Sequence, residues 1–308
     1  MTRTRLIRRR NDKARRRATD STRMPFGSEV ADVVTYESPL NFPTRDRWRP
    51  EPTVQDLSHD SVLQAQRILL KWSRDPVTLL QSLLFPALTV LLFWLVLDSS
   101  VSEHSGTSNT FGMVPMVALV GAMSGSSISA LGLRREQTTG LLSKMWTLPT
   151  HRASAMTGRL LAESVRIVIT VSAVLLVGMV IGFRIHSGLP GYLGIIAVAT
   201  GFGLSFSMMI TALALMSRDS HIVEWTAIGT QLAMFFNTGF VPADSYPAWL
   251  RPAIEYQPMS CTIDTIRALA TEGPVARPML LTLAWSAALL IVFTGPTLVG
   301  YRRAATLN

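Results

Sequence analysis

The chain has 308 residues, of which 48% are hydrophobic and only 16% charged, yet its formal charge is +9 and its mean hydropathy is +0.30. The two properties sit in different places: residues 1–50 hold 13 Lys+Arg against 6 Asp+Glu, and the remainder is nearly balanced. This distribution excludes a conventional soluble enzyme as the leading assignment, and it excludes a protein made basic by nucleic acid along its whole surface.

A single cysteine, Cys261, permits no internal disulfide and no Cys-based metal site, and the five histidines show no metal-ligand spacing. The first segment, residues 1–57, opens with Arg3, Arg5, Arg8, Arg9 and Arg10 and has no apolar stretch behind them, so a signal peptide is not expected here. Rich in Arg, Asp, Thr and Pro, it is expected to be a disordered basic cytoplasmic tail. It is either a dispensable extension or a polybasic segment that lies on anionic lipid.

Residues 58–75 follow. Val62, Ala65, Leu69 and Trp72 recur at helical spacing, with Gln64, Gln66, Arg67, Lys71 and Arg74 as the polar remainder. The pattern predicts an amphipathic helix in the membrane interface; the alternative is a soluble helix packed on the spans.

Six long stretches almost free of charge come next: Pro76–Leu97, Gly106–Leu133, Ile167–Phe183 (extended back to Ala155), Ile185–Ser217, His221 or Trp225 to Ala243, and Pro278–Gly300. A bilayer core about 30 Å thick takes about 20 residues per helix, so each is an expected span. The predicted fold is an all-α membrane protein with six transmembrane helices over residues 76–303. Arg67, Lys71, Arg74, Arg134, Arg135, Lys144, Arg152, Arg218, Arg302 and Arg303 fall on one side of these spans. The positive-inside rule then places both termini in the cytoplasm of a multi-pass plasma (inner) membrane protein.

The connection between the second and third spans is neither span nor linker. Leu141, Leu142 and Met145 share a helical face, Glu136 lies upstream, and Pro149 ends the helix by removing a backbone donor. A short cytoplasmic helix between two spans transmits motion if another protein grips it. Beyond it, Arg159, Glu163 and Arg166 are spaced to pair along one face of the third span. They form a charge cluster near the loop, or a neutralised entry turn. Ser127 in the second span and Gln231 and Asn237 in the fifth are candidates to line a substrate path, or to bond neighbouring helices. Gly121…Gly125 and Gly178…Gly182 have the spacing that allows close helix approach. No G-x-x-x-x-G-K-[ST] occurs in the sequence, so this chain is not expected to hold ATP by the P-loop mechanism.

The run Arg135-Glu136…Gly140-Leu141-Leu142…Trp146…Leu148-Pro149…His151-Arg152 resembles the cytoplasmic loop of ABC-2 type permeases. Gly239-Phe240-Val241-Pro242…Ser245-Tyr246-Pro247 resembles the family's Pro-rich re-entrant segment. Gln257-Pro258-Met259-Ser260…Ile266-Arg267-Ala268 resembles the helix after it, with Gln where Asn is common. The resemblance runs from about Leu63 to Arg303 and is strongest to the daunorubicin-resistance type of actinobacterial permease, including its mycobacterial phthiocerol-lipid branch.

It implies that Arg135, Glu136, Gly140, Leu141, Leu142, Met145 and Pro149 belong to a coupling helix seated in an ATPase subunit. It also implies a second permease chain (hetero- or homodimer), membrane lipids around the spans, and a lipid or amphipathic substrate (complex lipid or drug) exported across the plasma membrane. ATP and Mg would reside on the partner ATPase, and this chain would hold no cofactor, metal or catalytic residue. No nucleic acid is expected. The competing assignment is a non-transport membrane scaffold or sensor that uses its basic tail.

Overall fold

A computed structural model describes residues 54–105, 110–141, 153–217 and 221–306. The tail before Val54 and the loop residues Leu142, Met145 and Pro149 lie outside the described residues. The described chain is almost entirely helical and follows this order: α1 Val54–Ser73, α2 Pro76–Leu79, a π turn Leu80–Leu84, α3 Phe85–Ser105, α4 Thr110–Thr138, α5 Ser154–Val180, α6 Gly188–Met216 and α7 His221–Phe235. A 3₁₀ turn at Ala243–Ser245, α8 Arg251–Tyr256, α9 Pro258–Thr271 and α10 Ala276–Thr306 complete it.

Local chemistry sets the first boundary. Asp75 caps α2 by accepting from the backbone N–H of Val77 and Thr78 and from the Thr78 hydroxyl, and Pro76 occupies the first helical position. The Thr78 bonds hold the Asp75 carboxyl below its usual range. Pro86 has no N–H to return to Ser82, four residues back, and the helix relaxes into the π turn there. The Ser82 carbonyl instead accepts from the Thr170 hydroxyl of α5 at 3.1 Å.

Among the described residues, five helices are long and apolar enough to cross a membrane: Pro76–Val96, Thr110–Thr138, Ser154–Val180, Gly188–Met216 and Ala276–Arg303. The expected fifth span differs. Its helix, α7, has 15 residues, about 22 Å at 1.5 Å per residue, and gives way at Phe236 to a turn through Gly239. The apolar run continues to Ala243, but its last part forms that turn.

The centre of the bundle is α4, buried on nearly every side from Gly112 to Met123, as a helix apolar all round must be. Ile167, Val171 and Val174 of α5, Ile195, Phe202 and Ile210 of α6, and Met259, Ile263 and Ile266 of α9 close around it. The first and last spans bury little of themselves and turn Leu88, Leu92, Leu95, Leu280, Leu283 and Ile291 outward, as expected for surfaces solvated by lipid tails.

The two paired-glycine motifs divide their work. A Cβ on Gly121 would meet Pro86 and Thr170, and one on Gly125 would fall 1.7 Å from the Arg166 guanidinium. Gly178 packs on Val114, whereas Gly182 adopts φ +108 and forms the turn after α5.

Candidate functional site: a charge cluster at the α1 end of the bundle

The α4 helix does not stop where the apolar run ends. Nothing between Leu133 and Thr138 breaks a helix, and the first residue that does is Gly140, at φ 70. Thr139 and Gly140 close the turn by donating to Arg135 and Gln137. Arg135 and Glu136, expected in the loop, therefore belong to the last turn of the span. This position turns the Glu136 side chain inward, and the residue is 8% exposed.

Three cations from two other helices converge on Glu136. Arg159 of α5, itself buried, places Nη2 at 3.1 Å from Oε2. Arg67 and Lys71 of α1 approach Oε1 at 3.6 and 3.7 Å. The second Arg159 nitrogen, Nη1, donates to the Ser129 carbonyl at 3.0 Å and to its hydroxyl at 3.1 Å. The expected pairing of Arg159 with Glu163 is thus replaced. Arg159 reaches across to α4, and Glu163 pairs with Arg166 at 2.6 Å. Arg166 also donates to the Ala122 carbonyl at 2.9 Å, in the space left by Gly125. Glu163 and Arg166 are both 4% exposed, so the third span carries a desolvated ion pair.

The α1 helix is fixed to this cluster by a face that the expected apolar stripe shares in part, through Ala65. Ser61 and Ala65 are buried, while Val62, Leu63 and Leu70 point outward. The packed face is made of small and polar residues: the Ser61 and Thr157 hydroxyls share a hydrogen bond. A Cβ on Gly158 would fall 2.5 Å from Gln64 Cβ, so only glycine admits α1 this close to α5. Of the expected apolar stripe, Val62 is exposed, Ala65 is buried and Leu69 and Trp72 are half-buried, so periodicity found much of the side that meets the bundle and missed the hydroxyls on it. The i, i+3, i+7 spacing of Gln64, Arg67 and Lys71 is the signal that marks the flank turned to Glu136.

Between α1, α4, α5 and α10 lies a crevice of about 10 Å³, lined by Gln64, Arg67, Ile68, Leu133, Glu136, Ala155, Arg159 and Tyr301. It is on the order of one water in size. Tyr301, near the end of α10, was not picked out by any sequence pattern. It packs with Leu133 and Leu215, and its hydroxyl lies buried beside Arg159 without a hydrogen bond of ordinary geometry.

A second polar cluster ties the turn after α7 to α9. Gln257 donates to the Phe236 carbonyl and, at 2.9 Å, to the Ser260 hydroxyl. The Thr238 hydroxyl donates to Asp264 at 2.9 Å, and Arg267 bridges Asp264 and the Thr238 carbonyl. Burial pushes the Asp264 carboxyl up despite Arg267. Asn237 is fully buried and its amide oxygen accepts the Gly239 N–H at 2.6 Å, which shapes the turn. Ser127 is likewise buried within the bundle, and the Gln231 side chain lies outside the described residues. Among the described residues no cluster of His, Cys, Asp and Glu could hold a metal.

The family model for the ABC-2 type transporter matches residues 62–270. Among curated relatives, the chain is 37% identical over 246 residues to a Mycobacterium tuberculosis protein described as the probable doxorubicin resistance ABC transporter permease protein DrrC. That match covers 80% of this chain and 89% of the relative. It is 24% identical over 237 residues to the daunorubicin resistance ABC transporter permease protein DrrB1 of Streptomyces coeruleorubidus, covering 77% of this chain and 83% of the relative.

Proposed function

The chain belongs to the ABC-2 type transporter family, and from that premise we propose that it is the permease subunit of an ATP-driven exporter of a lipid or amphipathic compound. ATP hydrolysis is assigned to a separate ATPase chain, and a second permease chain completes the path. Both termini, and with them the α1 end of the bundle, face the cytoplasm.

The observation that carries this proposal is the continuity of the match from Val62, within α1, to Ala270, near the end of α9. It includes the segment beginning at Gly140, where α4 is stopped and a second short helix is expected. The absence of a P-loop in the sequence supports a separate ATPase. In this account Gly140 to Leu148 is the surface the ATPase grips, and its movement is passed to α4 and α5 as rigid bodies. Glu136 acts indirectly: buried among Arg159, Arg67 and Lys71, it holds the helices that must move together. The relatives' names concern anthracycline resistance. For this chain the outward apolar spans fit a drug or a complex lipid equally, and the family branch favours the lipid.

Affinity purification of the full chain from its native membrane, with protein and lipid mass spectrometry of the eluate, tests this assignment. A P-loop ATPase, a second permease chain and an enriched complex lipid are the expected companions. Retention of the ATPase after deletion of the residues before Leu57, and its loss on loop mutation, separates the exporter from a tail-based scaffold. The reverse pattern would exclude the exporter.

A further inference from the structure

The crevice at the α1 end holds three buried polar atoms without a hydrogen bond of ordinary geometry: Gln64 Oε1, Arg67 Nε and Tyr301 Oη, the last beside Arg159. Buried polar groups are ordinarily satisfied, and each left bare costs free energy, so three on one small crevice point to an occupant. Charge describes it further. Arg67, Lys71 and Arg159 face one carboxylate, Glu136, which leaves two cations in excess. Arg67 Nε and Tyr301 Oη both donate, and the Gln64 amide offers its oxygen or, turned over, its NH₂. The arrangement asks for an anionic oxygen with a neighbouring hydroxyl or amine.

We propose that this crevice binds the phosphodiester of an anionic phospholipid from the leaflet on the α1 side. One phosphate oxygen enters between Arg67 Nε and Tyr301 Oη. The rest of the headgroup lies on the outer flank of Arg67 and Lys71, whose side chains are 40% and 69% exposed. The size of the crevice admits a single oxygen and no whole headgroup. A lipid is favoured over free phosphate because α1 presents Val62, Leu63 and Leu70 outward beside the crevice, a surface on which acyl chains can lie. Since the site joins α1, α4, α5 and α10, a bound lipid would clamp α1 to the bundle. The proposal goes beyond the transport assignment: it needs a chain embedded in a membrane, but no ATPase and no exported substrate.

The test uses the full-length chain in phosphatidylcholine nanodiscs, with or without phosphatidylglycerol, and in detergent with inorganic phosphate. Thermal unfolding and lipid retained in native mass spectrometry are the readouts. Phosphatidylglycerol should raise the melting temperature of the wild type and remain bound after mild delipidation. Both effects should fall several-fold in Tyr301→Phe, which removes one hydroxyl, and in Arg67→Gln. An equal shift from inorganic phosphate would overturn the lipid assignment. A phosphatidylglycerol effect that survives both substitutions would reduce it to charge in the lipid annulus. No effect of either anion would leave a single ordered water in the crevice and refute the proposal.

Discussion

Replacing Glu136 by alanine removes the one carboxylate, among the described residues, within salt-bridge distance of buried Arg159. With the two side chains 10% and 8% exposed, the change leaves a nearly desolvated guanidinium without its counter-charge. Breaking such a pair from one side costs about 3–5 kcal/mol; the exposed Arg67 and Lys71 contacts add little to this, because solvent screens them. For a chain of this size each kcal/mol moves the melting temperature by about 2–4 °C, so Glu136→Ala should melt on the order of 10 °C below the wild type in detergent. Glu136→Gln, which keeps an acceptor for Arg159, should lose less. The double variant Glu136→Ala/Arg159→Leu should recover most of the loss, since an apolar replacement of both partners is often neutral. With Arg159→Leu alone added, differential scanning fluorimetry of the five proteins closes the cycle. A Glu136→Ala melting point within about 2 °C of the wild type, again by the scaling of, would refute a buried, structurally engaged Glu136. An ATPase contact made directly by that side chain would then become the better account.

Gly125→Ala should be more damaging than its size suggests. Its Cβ would fall 1.7 Å from Arg166 Nη1 and drive the guanidinium from Glu163, with loss of monodisperse protein on fluorescence-detected size exclusion. Gly158→Val should loosen α1 without unfolding the spans, because the clash is with Gln64 and the Ser61 carbonyl; faster proteolysis between Val54 and Ser73 is the expected signature. Cys261 is 2% exposed, and burial pushes its thiol up to about 11. It should therefore resist a maleimide at pH 8 in folded protein and label stoichiometrically once unfolded; rapid labelling of folded protein would place α9 elsewhere.

The long apolar runs made the helical membrane fold legible, because a span must satisfy its own backbone and bury or solvate its side chains in lipid. Three local decisions escaped that logic. The end of α4 was set by Gly140 and not by the first charge, so Arg135 and Glu136 joined the span. The α7 helix ended at Phe235 because Asn237, Thr238 and Gly239 bond into a turn held by Gln257 and Asp264, partners 20 or more residues away. The closeness of α1 to α5 was set by Gly158 and by the Ser61 and Thr157 hydroxyls, to which hydropathy is blind. Within the candidate site, the spacing of Arg159, Glu163 and Arg166 placed three charged residues along α5, of which Glu163 and Arg166 pair. Whether Arg159 turns to Glu163 or to Glu136 depends on how α4 and α5 are juxtaposed, which spacing along one helix does not contain. Tyr301 entered the site from the far end of the chain for the same reason. Gln257 was noted as a departure from the family's usual Asn; its longer arm reaches the Phe236 carbonyl.

The central claim is that an ATPase drives export by gripping the segment after Gly140. The most direct measurement is ATP-dependent transport of a fluorescent anthracycline or a labelled complex lipid in inside-out vesicles that contain this chain, its ATPase and its second permease. Leu141→Asp/Leu142→Asp is measured beside the wild type at equal membrane content. The account predicts ATP-dependent accumulation by the wild type and its loss, together with weakened ATPase retention, in the double variant. Accumulation without ATP, or undiminished transport and ATPase retention in the double variant, would contradict it.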